Sequence, residues 1–259
     1  MLRYIASLLA ATLLSGCAST SSQRIAAIDR VLADAPGQAQ PSAVIATEIA
    51  LARTAREEGQ WAALLDFAAP GAVLHLADGG VGAETALRGR PNPVTPAQPT
   101  TIAVWMSCDG QSAVSHGKYA DPDGQRGYYA AAWQRQRDGA YRWSYALAAP
   151  DPALTARETR VRGTTDPADA IVVEGNMMIR GETGDCLRGA PAPPPARGGT
   201  LEGAAGGSGA SPDNTLVWRW HNRADGSREL EVSQYRAAGW EQVLAMTVGS
   251  NGEVSAVDD

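Results

Sequence analysis

The chain has 259 residues, 44% of them hydrophobic and 19% charged, enough for one large folded domain or two small ones. Its net charge is −6, and Lys118 is its only lysine. That balance excludes the basic stripe a nucleic-acid partner requires to displace counterions, so no nucleic-acid binding is expected.

The first element in chain order is the stretch LLAATLLSGCAST. Arg3 supplies a positive start, Tyr4 to Leu14 an apolar run, and Leu14-Ser15-Gly16-Cys17 a small-residue close. This is the secretory signal pattern, too short to span a bilayer comfortably. The Leu-Ser-Gly-Cys run resembles the lipobox of bacterial lipoproteins. That resemblance implies a signal peptide over residues 1–16 and Cys17 as the lipidated first residue of the mature chain. It also implies a membrane partner reached through the lipid anchor. Ala18 stands where an aspartate would retain such a protein at the inner membrane. The expected place is therefore the periplasmic face of the bacterial cell envelope, at the outer membrane. Each buried methylene of the anchor would contribute roughly 0.8 kcal/mol. The competing reading is an ordinary cleaved signal with an incidental cysteine.

Residues 17–24 read as a lipidated tether, and Ile25, Ile28 and Leu32 then recur at helical spacing until APGQAQP stops them. A second helix runs from Pro41-Ser42 to Gly59, with Val44, Ile45, Ile49, Leu51 and Ala52 as its apolar stripe. A shorter one follows, with Trp61, Leu64, Leu65 and Phe67 buried and Pro70-Gly71 as its stop. AVLHLAD then reads as a strand, followed by a proline-rich loop through Gly89 to Pro99. Asp-Gly pairs at Asp109-Gly110, Asp123-Gly124 and Asp138-Gly139 predict hairpins with type I′ turns, both central residues at positive φ. They imply strands near 100–108, 112–120, 127–136 and 140–148, a four-stranded antiparallel meander. Strict alternation puts Tyr129 and Trp133 on one face of the third strand, and Tyr141, Trp143, Tyr145 and Leu147 on one face of the fourth.

Two stretches, IALARTAREEGQWAALLDFAAPGAVLHLADG and SHGKYADPDGQRGYYAAAWQRQRDGAYRWSY, resemble the nuclear-transport-factor-2-like (NTF2-like) superfamily, in its DUF4440 and SnoaL-like branch. The resemblance covers residues 43–150. It implies an α+β fold in which N-terminal helices pack on a curved antiparallel sheet as a cone with a pocket at its open end. The expected domain is 25–150, with a strand-containing connection over 151–188, including DAIVVEGNMMIR. A Pro/Gly/Ser-rich linker is expected over 189–213 and a β-meander extension over 214–259. The extension, with turns at Asp225-Gly226 and near Gly239, is too small to stand alone and is expected to pack on the main domain.

Within the implied cone, Trp61, Asp66, His75, Tyr129, Trp133, Tyr141, Trp143 and Tyr145 are the candidate pocket residues. Asp66 and His75 could transfer protons as a pair, or be a helix-end aspartate and a hydrogen-bonded strand histidine. His116 reads as a surface or rim residue. Asp121, Asp123 and Gly124 could open a calcium loop, but no closing acidic ligand follows, so a hairpin turn is the better reading. Trp218, Trp220 and Trp240 could stack on a carbohydrate, although Trp218 and Trp220 sharing a buried face is favoured. Cys108 and Cys186 are either a disulfide in an oxidising compartment or two separate buried thiols. Neither fits a metal site, so no metal or cofactor is expected, and no catalytic residue is assigned.

The functional expectation is a membrane-anchored periplasmic lipoprotein that binds a small molecule or scaffolds a protein, without catalysis. A small apolar ligand, a homodimer or an envelope protein are the candidate partners. The alternative is a SnoaL-like enzyme performing acid–base isomerisation or hydrolysis on a small apolar substrate.

Overall fold

The computed structural model describes residues 39–164, 178–186, 206–237 and 239–257. The signal, Cys17, the tether, the first expected helix, residues 169–177 of the expected strand and residues 189–205 of the linker lie outside them.

Pro41 at the first turn and Gly59 at the end (φ 105°) delimit helix α1 (Pro41–Glu58). Helix α2 (Gln60–Asp66) follows directly. Strands β1 (Ala68–Leu76) and β2 (Gly79–Gly82) form a hairpin, and the short helix α3 (Ala83–Leu87) closes this region. The expected meander is present as β3 (Gln98–Met106), β4 (Ser112–Ala120), β5 (Arg126–Arg135) and β6 (Tyr141–Pro150). Its hairpins, however, are not type I′. Gly110, Gly124 and Gly139 have positive φ, but Asn214 is the only described non-glycine residue that does. In each turn the glycine N–H donates to the carbonyl three residues back, from Gly110 to Ser107, Gly124 to Asp121 and Gly139 to Gln136. This is a type I turn followed by a left-handed glycine. Asp109 and Asp138 each accept the amide two residues on, which stabilises that geometry.

Helix α4 (Pro152–Thr164) leaves the meander, and β7 (Arg180–Thr183) returns as a parallel edge strand on β3. The first sheet has the order β2-β1-β6-β5-β4-β3-β7. Strands β8 (Gly206–Ala210), β9 (Leu216–Asn222), β10 (Arg228–Arg236), β11 (Gly239–Val248) and β12 (Val254–Val257) make a second, antiparallel sheet in the order β12-β11-β10-β9-β8.

The expected α+β cone is therefore overturned. The described residues are mostly β, with 49% strand against 22% helix, arranged as two large sheets rather than helices on one sheet. One face of the seven-stranded sheet packs on α1–α3 through Val44, Leu87, Val104 and Trp143. Its other face packs on the five-stranded sheet through Trp105, Leu147, Trp218 and Met246. What the composition presented as an extension supplies half of the second core.

Part of the expected linker is also structural. Glycines in GGSGA make room rather than slack: a Cβ on Gly209 would lie 2.1 Å from the Trp218 ring, and one on Gly207 2.7 Å from that of Trp220. Strand β8 can thus lie flat beneath two indoles. Cys108 and Cys186 are joined as a disulfide with Cα atoms 5.2 Å apart, tying the end of β7 to the β3–β4 turn.

Candidate functional site

Strict alternation fails at one residue of β6. Ala132 pairs with Tyr145 but Trp133 with Trp143, so Ser144 is an extra residue in the ladder. Beyond this bulge the side chains change face. Tyr141 and Trp143 join Trp133 under the helices, whereas Tyr145 and Leu147 face the second sheet. The aromatic residues expected to line a pocket are thereby divided between two layers, and those on the helical side fill it. Trp143 Nε1 donates to Leu64 O at 2.8 Å, Tyr141 OH to Gly110 O at 2.6 Å, and Trp133 Nε1 to Ser115 Oγ at 2.9 Å. Trp61 lies toward the surface, donating to Pro91 O at 3.0 Å with the Arg90 guanidinium over its ring.

The same layer contains a group that the hydrophobic pattern hides. The inward face of α1 carries Val44, Glu48 and Ala55, while Ile49, placed in the apolar stripe from sequence, is 64% exposed. Glu48 is only 7% exposed. Ser115 Oγ donates to its Oε1 at 2.6 Å and Thr101 Oγ1 to its Oε2 at 2.5 Å, with Tyr129 OH 3.4 Å from Oε2. Burial pushes the Glu48 carboxyl above its usual range, and the three hydroxyls only partly offset this. Burial, with Glu48 beside it, likewise raises the Tyr129 phenol. The readable signal was the spacing of Val44 and Glu48, four residues apart on one helical face.

His75 and Asp66 do not form a pair. Asp66 is exposed at the end of α2, where its backbone carbonyl accepts from Arg142 Nη1. His75 lies between the sheets, 1% exposed, with both ring nitrogens engaged: Nδ1 is 2.8 Å from Tyr145 OH and Nε2 2.7 Å from Asn222 Oδ1. Asn222 Nδ2 donates to Ala77 O at 2.7 Å, which turns its oxygen toward the ring. Nε2 therefore holds the proton, and Nδ1 accepts from Tyr145. Burial, aided by the nearby Arg228 charge, lowers the His75 pKa to about 4, so the ring is neutral. Trp220 packs against it at 4.7 Å between centroids.

His116, expected at the rim, is also interior, 2% exposed, with Nδ1 2.9 Å from Tyr129 O and its ring stacked on Tyr128. Trp218 and Trp220 share the core-facing side of β9, as favoured from their spacing, while Trp240 meets Tyr235 edge to face. At Asp121 the carboxylate accepts the Gln125 amide at 2.8 Å, a hairpin contact. Among the described residues no cluster of His, Cys, Asp and Glu is arranged to hold a metal ion.

A cleft opens at the surface instead. It has a volume of about 700 Å³ and lies where β1 departs from the sheet. Ala68 pairs with Trp143 and Val73 with Tyr145, so Ala69 to Ala72 stand opposite the single residue Ser144, with Pro70 and Gly71 exposed and Ala69 and Ala72 turned inward. This loop forms one wall, and Gly82, Ala83 and Glu84 a second. The β5–β6 turn, with Gln136, Arg137, Asp138 and Arg142, forms the third. No protein-family model matches the chain, and no curated protein does.

Proposed function

We propose that the protein is a binding or scaffolding lipoprotein of the bacterial envelope, tethered through acylated Cys17 on the periplasmic side. In this reading it engages its ligand at the cleft beside the β1 loop and performs no chemistry. The observation that carries the reading is the contrast between the helical layer, where the sequence led us to expect a pocket, and the surface cleft. The space between helices and sheet is occupied by Trp133, Tyr141 and Trp143, whereas the cleft offers about 700 Å³, within the size range of small-molecule sites. Both nitrogens of His75 are committed to Tyr145 and Asn222, which removes the acid–base pair on which the enzymatic alternative relied. A disulfide between Cys108 and Cys186 suits an oxidising compartment.

Two measurements test the reading. Radiolabelled palmitate should be incorporated into the full chain and lost in Cys17→Ser together with membrane association. Native mass spectrometry of the full chain released from detergent should reveal a retained ligand or partner that disappears in Gly82→Trp. Gly82 lines the cleft and a Cβ there meets nothing within 4 Å, so a bulky side chain can start at this wall without a backbone clash. Retention of the same mass by Gly82→Trp would place binding elsewhere.

A further inference from the structure

The charges around the cleft are unevenly committed. Glu84 is paired with Arg88, one turn further along the chain, with Arg88 Nε donating at 2.7 Å. Asp138 turns Oδ1 back onto the Ala140 amide at 3.0 Å, stabilising its own hairpin. Arg142 is half-buried and donates Nη1 to the Asp66 carbonyl. That bond fixes the direction of the guanidinium without neutralising it. Arg137 lies at the exposed tip of the same hairpin, five residues earlier. Among the described residues neither Arg137 nor Arg142 has a carboxylate within ion-pair distance. Elsewhere Arg53, Arg126, Arg223 and Arg236 each pair with a glutamate. Two guanidiniums thus face a cleft in which Glu84 is ion-paired with Arg88 and Asp138 is the one acid without a cationic partner, so positive charge is in excess there.

Resting on the reading of this cleft as the binding site, we propose that its ligand is anionic. A carboxylate or phosphate group is held between Arg137 and Arg142, and the rest of the ligand lies along the Ala69–Ala72 loop. The planar guanidinium fork suits both oxyanions, and charge-assisted hydrogen bonds of this type are roughly twice as strong as neutral ones. Arg142 is the positioned member, because the Asp66 carbonyl holds it in place. Arg137, on a hairpin tip, supplies charge and closes over the ligand.

The test uses the full chain with inorganic phosphate, acetate and the neutral isostere acetamide as probes, followed by amide chemical shifts. Phosphate and acetate should give saturable shifts confined to residues 68–72 and 136–142, with acetamide giving none. The two oxyanions distinguish the ligand class by which saturates at lower concentration. Arg137→Gln and Arg142→Gln should each weaken saturation at least fivefold, and the double variant should abolish it. Arg142→Lys, which retains charge but loses the fork, should fall between. An unchanged thermal midpoint in Arg137→Gln separates lost affinity from lost fold. Equal response to acetamide and acetate, or wild-type phosphate binding by the double variant, overturns the proposal. A neutral ligand that copurifies with wild type and is lost in Gly82→Trp would refute the anionic class while leaving the cleft as the binding site. Loss of neither ligand nor oxyanion binding in Gly82→Trp would refute both.

Discussion

Cutting the Cys108–Cys186 bridge should destabilise the fold substantially without removing any of its core side chains. The cystine closes a loop with a sequence separation of 78. In the chain-entropy description a loop of that length lowers the entropy of the unfolded chain by about 15 cal/mol/K, or about 4.5 kcal/mol at 25 °C. The native state retains its other contacts around the junction: Cys108 N to Thr215 Oγ1, Asp109 N to Asp213 Oδ2 and Asp185 N to Tyr235 O. Cys108→Ser/Cys186→Ser should therefore still fold, but with its thermal midpoint about 9–18 °C lower, the shift that loss implies for a domain of this size. Guanidinium unfolding of the oxidised protein and the double variant measures the difference directly. The variant should also show a steeper denaturant dependence, because its unfolded chain exposes more surface. Hydrogen exchange should rise first in β7, the four-residue edge strand next to Cys186. A loss below about 1 kcal/mol would refute the loop-closure argument, showing that the unfolded chain was already restricted there.

Two buried titrating groups should tilt stability in opposite directions with pH. For Glu48 the folded pKa lies above the unfolded value, so its environment is best tolerated below pH 4.5 and costs stability as pH rises beyond that. Glu48→Gln should gain on wild type between pH 4 and pH 7.5 in thermal melts, and a gain by wild type instead would contradict the burial argument. For His75 the folded pKa of about 4 lies below the ordinary 6.5. Its contribution is present above pH 6.5 and is lost as pH falls toward 4, so His75→Gln should flatten the acid limb of the same profile. Gly209→Ala brings a methyl to 2.1 Å from the Trp218 ring and should cost about 1–3 kcal/mol in chemical unfolding. Unchanged stability there would mean that β8 is not seated on the second sheet as described.

The meander could be read from the chain because hairpin signals are local. An Asp-Gly pair announces a reversal whichever turn it makes, so β3 to β6 emerge with their ends displaced by only a residue or two. The turn type was not readable, since glycine satisfies both candidate geometries. What selects between them is the aspartate, which keeps negative φ and uses its carboxylate on the following amides. The helical pocket failed for a different reason. Period-two logic propagates along a strand until something interrupts it, and Ser144 does so without any compositional mark. One inserted residue sends Tyr145 to the opposite layer from Trp143, and a supposed aromatic concavity becomes two filled cores.

Small residues carry the remainder of the fold, and hydrophobicity is a poor guide to them. Ala103, Ala130 and Ala132 are fully buried on the face opposed to the second sheet, where their small side chains leave depth for Trp105 and Trp218. Gly207 and Gly209 do the same from the other side, in a stretch whose composition suggests a flexible linker. The bulky partners are legible as core residues, but the surfaces that receive them have no apolar signature and become apparent only in register. Glu48 follows the same logic in reverse: a charged residue reads as solvent-facing until Thr101, Ser115 and Tyr129, drawn from three strands, converge on it. The surface cleft is also a product of register, since it exists because four residues of β1 stand against one of β6. Its two arginines then acquire meaning from the charge balance around them, a fact of three-dimensional neighbours rather than of sequence. Binding of phosphate or acetate at this cleft would make the four-residue departure of β1, opposite the same Ser144 that divides the aromatic cores, the feature that creates the site.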